Sequence, residues 1–482
     1  AIVYIFRLTS CLYFPFCNLF CLTMRRLFSW ICLPLLPLIG AGTALSDTLK
    51  SSHTIIIDRA VYADRMEGFW LGASIGNWTG RITEMDKIGG TGIHGIFYTR
   101  DDWGTYDLPS IWDEGKQSNI SPVIDFVLLE PGEVWGSDDD TDIEYMYQEY
   151  LFQNDLTILS GEDVRQAWIT HIYDEKYPTP YGKEDGVFEN YLWVSNQRAH
   201  ELMLEGVIPP KTSQPDLNPH WEMIDAQLTT EIFGLFAPAH PLLALDLAKM
   251  PIQTTARGEA ALAAEFYVVM HAQASSPFIK KMKNKDALFS MADKARSILP
   301  EDSYTAGMFD FVKADYDRGI KWEEARDRLY ERYQIQQADG YDMTSRNLYC
   351  NGCFAAGINF GASLISLFYG EGDFKRTVKI GTLAGWDTDN PTATWAGLIG
   401  FMLGKEELEK IFGRTLSSEY HIHRTRKGFN NNGFDNFPAM ASKSISIIDK
   451  IVEKRLNGSV DLNQNTWTFE VPEQFKIVRK KD

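Results

Sequence analysis

The stretch that decides the fold reads Gly385-Trp386-Asp387-Thr388-Asp389-Asn390. It places two carboxylates one residue apart on a short turn. Apolar residues at helical spacing follow over residues 395–402, so the turn is predicted to open a helix. One acidic turn at a helix start is ordinary, because carboxylates are stabilised at the positive end of the helix dipole.

A second acidic turn lies far upstream and reads Ser137-Asp138-Asp139-Asp140-Thr141-Asp142. It also precedes a helical pattern, over residues 143–150. If the two turns meet in space, they bring at least four carboxylates into one pocket. Such a pocket is unstable without cations, and hard divalent ions with oxygen ligands, Mg²⁺ above all, fit it best. Two unrelated helix caps are the simpler alternative.

The composition limits the classes of partner. The chain has 482 residues, of which 44% are hydrophobic and 13% aromatic, enough for a sizeable core. Lys and Arg number 47 against 65 Asp and Glu, which gives a formal net charge of −18. This charge argues against nucleic acid or an anionic membrane surface as the main partner.

The first 46 residues have the pattern of a leader. A basic start at Met24-Arg25-Arg26 precedes an apolar run over 27–39 and small residues over 41–46. We therefore predict a signal peptide beginning at Met24, with residues 1–23 as translated upstream sequence, and an exported protein whose functional domain spans 47–482. The alternative is an N-terminal membrane anchor formed by both apolar runs of the leader. After signal cleavage no membrane association is expected.

Cysteine usage indicates a structural pair. Of six Cys, four lie in the leader, and Cys350 and Cys353 remain with C-x-x-C spacing. A zinc site would need two further ligands nearby, which the sequence lacks. A small disulfide suits an exported protein, whereas a redox motif would need a strand–helix context that is not predicted here.

Most of the remaining pattern is helical. A first helix with one apolar side is predicted over residues 58–72. It runs into an apolar segment in which glycines recur every fourth residue, at Gly68, Gly72, Gly76 and Gly80, and this spacing lets another helix approach closely. Residues 86–136 form a long, loop-rich insertion with several tryptophans, which either wall a pocket or pack the loop down. A strand is predicted only over 466–471. The fold class is therefore all-α, with one large helical domain and long loop insertions.

Four motifs in order along the chain carry a resemblance to a known family. They are Gly68-x-x-x-Gly72-x-x-x-Gly76-Asn77 with Glu84; Asp139-Asp140-Thr141; Gly370-Glu371-Gly372-Asp373-Phe374; and Gly385-x-Asp387-Thr388-Asp389 with Gly397 and Gly400. Over residues 58–450 the chain resembles the ADP-ribosylglycohydrolase family, and is similar to the dinitrogenase-reductase-activating glycohydrolases and the ADP-ribosyl-acceptor hydrolases. The resemblance implies an orthogonal all-α domain that holds two Mg²⁺ ions in a cleft. It also implies cleavage of the glycosidic bond at C1″ of ADP-ribose attached to a protein side chain or a related acceptor.

The resemblance implies a role for each matching residue. The expected metal ligands are Asp138, Asp139, Asp140, Asp387, Asp389 and Asn390. The expected catalytic residues are Glu84, Asp140 and Asp389, with Glu84 as general base or gate.

The sequence also departs from the family pattern at four positions. Asp138 stands where the family usually has Thr, Asn390 where it has Thr or Ser, Asn77 where it has Asp, and Trp386 where Gly is common. Asp138 and Asn390 still offer oxygen ligands, so a site for two metal ions remains the expectation. The departures put the identity of the substrate in question. Trp386 either packs in the core or stacks on a ligand.

The chemistry fits independently, since a binuclear Mg²⁺ site can orient the hydroxyls of a ribose and activate water. The expected substrate is an ADP-ribosylated protein or a small ribosyl glycoside. One alternative is an N-glycosidase of the same fold that acts on nucleoside-like substrates. Another is a non-catalytic metal-binding relative, which would be expected to lose ligands. A two-metal phosphoesterase would normally use His, and no His has a metal-binding spacing here.

Overall fold

Two helices packed backbone to backbone, α1 (Arg59–Gly80) and α13 (Asp389–Leu403), form the centre of the fold. The computed structural model describes residues 52–111, 116–174, 183–184, 187–342 and 351–472. All of these belong to one unit, Asp47–Asp482. Fifteen α-helices and only short sheets are found in these ranges, which confirms the all-α prediction.

The other helices surround this pair. They are α2 (Asp139–Gln153), α3 (Gly161–His171), α4 (Val194–Leu204), α5 (Ile232–Leu235), α6 (Pro241–Thr255), α7 (Gly258–Ala274), α8 (Asn284–Arg296), α9 (Tyr304–Asp317), α10 (Trp322–Tyr330), α11 (Ala356–Gly370), α12 (Phe374–Ala384), α14 (Lys405–Phe412) and α15 (Phe437–Lys454). The strands are β1 (Ser52–Asp58), β2 (Val134–Trp135), β3 (Lys183–Glu184), β4 (Val187–Phe188), β5 (Glu419–His421), β6 (Phe434–Asn436), β7 (Ser459–Asp461) and β8 (Thr466–Pro472).

The glycines of α1 make the central contact possible. A Cβ atom on Gly68, Gly72 or Gly76 would clash with a backbone carbonyl oxygen of α13. Only glycine therefore lets the two backbones come this close. The predicted close helix approach is confirmed, and its consequence is that the end of α1 is fixed against the start of α13.

A three-stranded sheet joins the two ends of the domain. Strand β8 pairs antiparallel with both β1 and β7, and its register with β1 runs from Ser52 opposite Pro472 to Asp58 opposite Thr466. The strand predicted at 466–471 is confirmed, whereas β1 was not predicted. Asp58 ends β1 and caps α1 by accepting hydrogen bonds from the backbone N–H groups of Ala60 and Val61.

The described part of the 86–136 insertion packs behind the 385–390 turn. The backbone N–H of Trp386 donates to the carbonyl of Lys87 at 2.7 Å, and that of Met85 donates to the carbonyl of Trp386 at 2.9 Å. The Phe97 ring lies 4.8 Å from the Trp386 ring, which is fully buried. Trp386 is therefore a core residue and is not available to stack on a ligand.

Two predictions fall partly or wholly outside the described residues. The predicted leader, residues 1–46, lies wholly outside the described residues. Among the described helices, none has the length and apolarity needed to cross a bilayer. Cys353 is disulfide-bonded, while Cys350, its predicted partner, lies outside the described residues.

Candidate metal centre

Three helix ends supply the acidic residues of a single cleft. Glu84 follows the end of α1, Asp139 and Asp140 form the first turn of α2, and Asp389 begins α13. Carboxylate oxygens of Glu84, Asp387 and Asp389 lie within 4.8 Å of one another, and so do those of Asp138, Asp139 and Asp140. Each set is compact enough to hold a metal ion.

The two acidic turns meet, although about 250 residues separate them. Glu84, Asp139, Asp140, Asp387 and Asp389 all line the same cleft. Across it, the side-chain amide of Asn390 donates to Asp140 Oδ1 at 3.4 Å. The arrangement is therefore one acidic centre and not two independent helix caps. Every residue predicted as a ligand or catalytic group is in or beside this centre, while their individual roles stay predictions.

The sequence reasoning missed a cation at the middle of this cluster. The Arg81 guanidinium donates to Glu84 Oε2 at 2.5 Å and to Asp389 Oδ2 at 3.1 Å, and it lies 3.7 Å from Asp138 Oδ2. Arg81 is the residue after α1, so the α1–α13 contact delivers it to this point. It neutralises part of the negative charge in the absence of any ion.

Backbone and side-chain contacts fix the 385–390 turn. The Thr388 hydroxyl donates to the carbonyl of Gly80 at 2.8 Å. The Asp387 N–H donates to Asn359 Oδ1 at 3.1 Å, and the Asn359 amide in turn donates to the carbonyls of Cys353 and Ala355 at 2.8 and 3.0 Å. Asn359 had no signal in the sequence, because its role depends on α11 passing beneath the turn.

Crowding of buried carboxylates disfavours their ionised forms. Burial, together with neighbouring carboxylates, raises the pKa of Glu84 to about 8 and that of Asp139 to about 6, in both cases against the opposing effect of Arg81. Burial and the charge on Asp389 hold the pKa values of Asp140 and Asp387 well above their ordinary range. A bound cation would reverse this penalty, since an opposite charge favours the ionised form.

The donor set fits hard divalent ions. In the described part of the chain, Asp389 Oδ1 and Asn390 Oδ1 are buried and have no hydrogen-bond partner. Buried oxygens of this kind normally have a partner, so they are the natural ligands of an ion. All the available donors are oxygens, which Mg²⁺ prefers. One oxygen of Asp138 is already used, because its Oδ1 accepts from the Asn77 amide at 2.7 Å, while its Oδ2 is buried and has no hydrogen-bond partner in the described residues.

Apolar side chains wall the cleft and were not predicted. Trp193, which precedes α4, and Phe354, which precedes α11, line it together with Val194. The same three residues also line an adjoining cavity that reaches Arg198 and His220. Trp193 is 46% exposed, and an exposed Trp beside an acidic centre is a signal of ligand contact that only the structure makes visible.

One comparison with known proteins identifies the family of this chain. The family model described as ADP-ribosylglycohydrolase matches residues 58–426. Among solved structures, a chain titled "ADP-ribosylglycohydrolase-related protein complex" is 13% identical, with a TM-score of 0.44, over 81% of this chain and 98% of that chain. No curated protein sequence matches. Since the family match spans most of the sequence and includes both acidic turns, the chain belongs to the ADP-ribosylglycohydrolase family.

Proposed function

We propose that the protein is a Mg²⁺-dependent hydrolase that cleaves the glycosidic bond of ADP-ribose attached to a protein side chain or a related acceptor. The observation that carries the proposal is the meeting of two acidic turns and Glu84 in one cleft, with the buried oxygens Asp389 Oδ1 and Asn390 Oδ1 left unpaired. Membership of a glycohydrolase family supports the reaction class.

In this proposal the two acidic turns hold two Mg²⁺ ions. Asp139, Asp140, Asp387 and Asp389 would provide the carboxylates, and Asp138 and Asn390 the further oxygens. Bound ions of this kind supply orientation of the ribose hydroxyls and an activated water. Because the ligands come from the first turns of α2 and α13, their positions follow from the backbone and need little side-chain ordering.

The chain's own residues would carry the remaining steps. Asp140 and Asp389, on opposite sides of the cleft, would fix the geometry of the reacting centre. Glu84 lies beside Asp387 and Asp389 and would accept the proton of the attacking water, while Arg81 holds its carboxylate in place. Trp193 and Phe354 would exclude bulk water from the bond to be cleaved and pack against the sugar.

The test is release of ADP-ribose from peptides ADP-ribosylated on arginine or serine, with and without Mg²⁺. It compares the wild-type protein with Asp139→Ala and Asp387→Ala, one substitution from each acidic turn. Asp246→Ala, which removes an exposed carboxylate of α6, is the matched control. We expect release that requires Mg²⁺, is lost in both cleft variants and is unchanged in the control.

Thermal unfolding measured in parallel separates the site from the substrate. If Mg²⁺ raises the unfolding temperature of the wild type and not of the cleft variants, yet no ADP-ribose is released, the metal centre stands and the substrate assignment is wrong. Nucleosides would then be the next substrates to assay, and inactivity on these would favour a non-catalytic metal-binding relative. If Mg²⁺ affects neither stability nor activity, the proposal fails.

A further inference from the structure

A second cavity, separate from the acidic cleft, lies where α10 begins, α11 ends and α12 runs past them. Its volume is about 610 Å³, which lies within the range of small-molecule sites. It is lined by Arg100, Trp103, Ile320, Lys321, Trp322, Tyr369, Asp373, Lys375, Arg376, Lys379, Ile380 and Leu383. None of these residues lines the acidic cleft. We refer to it as the basic cavity.

The charge of the basic cavity is opposite to that of the chain. Five of its lining residues are cationic and one, Asp373, is acidic, in a protein with a net charge of −18. Asp373 is already used as the cap of α12, where it accepts from the Arg376 N–H at 2.8 Å. The cavity therefore carries a local positive charge that the overall composition does not explain.

Three of the five cations have no acidic partner within the described ranges. Arg100 pairs with Glu323 and Arg376 pairs with Glu371. Ion pairs to Lys321, Lys375 and Lys379 are absent from the described part of the chain. The Lys379 ammonium instead lies 4.8 Å from the centre of the Trp103 ring, a cation–π contact that holds the side chain at the rim.

The remaining wall is apolar. Trp322, Ile380 and Leu383 are buried and line the cavity beside Tyr369. The site thus combines ammonium groups with an aromatic and aliphatic surface. Such a combination suits a molecule with an anionic group at one end and a ring at the other.

We propose that the basic cavity binds a small phosphorylated molecule that carries an aromatic ring. Lys375 and Lys379 neutralise the phosphate, and the ring packs against Trp322 and Leu383. Lysine serves as a point charge for phosphate, and three ammonium groups without an acidic partner in the described ranges are enough to neutralise a dianion. The binding needs no metal and is independent of the reaction proposed for the acidic cleft.

Isothermal titration calorimetry in EDTA tests this proposal with three probes: inorganic phosphate, adenosine and AMP. EDTA removes divalent ions and so prevents metal-bridged binding of phosphate at the acidic cleft. Without such ions the carboxylates of the cleft repel phosphate. We expect AMP to bind more tightly than either phosphate or adenosine, because only AMP uses both halves of the cavity. Equal binding of adenosine and AMP would overturn the role of the lysines.

Variants locate the binding. The double substitution Lys375→Gln/Lys379→Gln is expected to weaken AMP binding at least about tenfold. Lys249→Gln/Lys454→Gln, which removes the same charge from exposed positions on α6 and α15, is the matched control. An equal loss in the control would show non-specific charge attraction, and an unchanged affinity in the cavity variants would place AMP elsewhere; either result overturns the proposal.

Discussion

The acidic cleft and the basic cavity lie on neighbouring parts of one segment, yet they are built in different ways. The cavity uses residues of α12, and the cleft uses Asp387 and Asp389 immediately after it. In the cleft, charges sit on short side chains at helix starts, and Asp389 is 2% exposed. In the cavity, they sit at the ends of long side chains on a helix surface. The positions of the charges in the cleft therefore depend mainly on the backbone, whereas those in the cavity depend on which long side chains project from the surface.

The physical consequence is a difference in sensitivity. A charge held by the backbone in a desolvated cluster has no alternative position, so changing it alters the whole site. A long Lys side chain near solvent can adjust, and its interactions are individually weak. Substitutions in the cleft are therefore expected to have larger effects than those at the rim of the cavity.

The largest effect is expected for Asp389→Asn, which preserves shape and removes one charge from the cleft. The proposed glycohydrolase activity should fall at least about 100-fold, since even residues that only support metal ligands contribute up to that factor. Stabilisation by Mg²⁺ should disappear, while AMP binding at the basic cavity stays unchanged. Peptide assays, thermal unfolding and calorimetry measure the three quantities. Loss of AMP binding in this variant would show that the two regions are not separate.

The next largest effect is expected for Asn359, whose side chain holds the 385–390 turn in place. Asn359→Ala removes the acceptor of the Asp387 N–H and the donor to two carbonyls. Mg²⁺ affinity should fall about 10- to 100-fold, because the turn loses its orientation. Gln273→Ala is a matched control, since Gln273 is a buried amide of α7 that also donates to two carbonyls. Equal loss of Mg²⁺ affinity in both variants would indicate general destabilisation.

A smaller effect of opposite sign is expected for Arg81→Gln. Arg81 contacts Glu84 and Asp389 and competes with an ion for their charge. Its removal should increase Mg²⁺ affinity by about tenfold, the scale of one hydrogen bond between charged groups, and lower the stability of the metal-free protein. Calorimetric Mg²⁺ titration checks this, with Arg81→Lys as the variant that keeps the charge. Weaker Mg²⁺ binding in Arg81→Gln would mean that Arg81 supports the ion.

The smallest effect is expected at the rim of the basic cavity. Arg100 pairs with Glu323 at 2.6 Å, but its side chain is 56% exposed. Arg100→Ala should change the free energy of unfolding by less than about 1 kcal/mol and reduce AMP affinity less than the double lysine variant does. Urea unfolding and calorimetry measure these. A loss of stability well above about 1 kcal/mol would contradict the contrast between the two regions.

Much of the cleft could be predicted because its signals are local. Both acidic turns were expected to open helices, and α2 and α13 do begin at Asp139 and Asp389. The glycine spacing of α1 predicted close helix contact. Its extension to Gly80 exceeds what the apolar pattern alone indicated, because packing against α13 stabilises a glycine-rich stretch that has low intrinsic helix propensity.

Other features of the structure could not be predicted from the local sequence. Arg81 has the appearance of a surface cation in the sequence, and Asn359 that of an ordinary buried polar residue of a helix. The cations of the basic cavity come from three separate segments, and each lysine alone is typical of a solvated helix face. Two alternatives were predicted for the tryptophans of the 86–136 insertion, and the described ones differ: Trp135 is buried in the core, and Trp103 lines the basic cavity. Trp112 lies outside the described residues.

Three features were predictable from local sequence: the helical class, the close approach of α1 to a partner, and the oxygen-rich composition of a centre suited to hard cations. These follow from periodicity, glycine spacing and residue chemistry, which act over a few residues. The packing of the helices was needed to show that the acidic turns meet, that Arg81 lies among them, and that a basic cavity forms beside α12. Contacts between residues hundreds of positions apart depend on how helices pack, and helix packing is a property of the whole core.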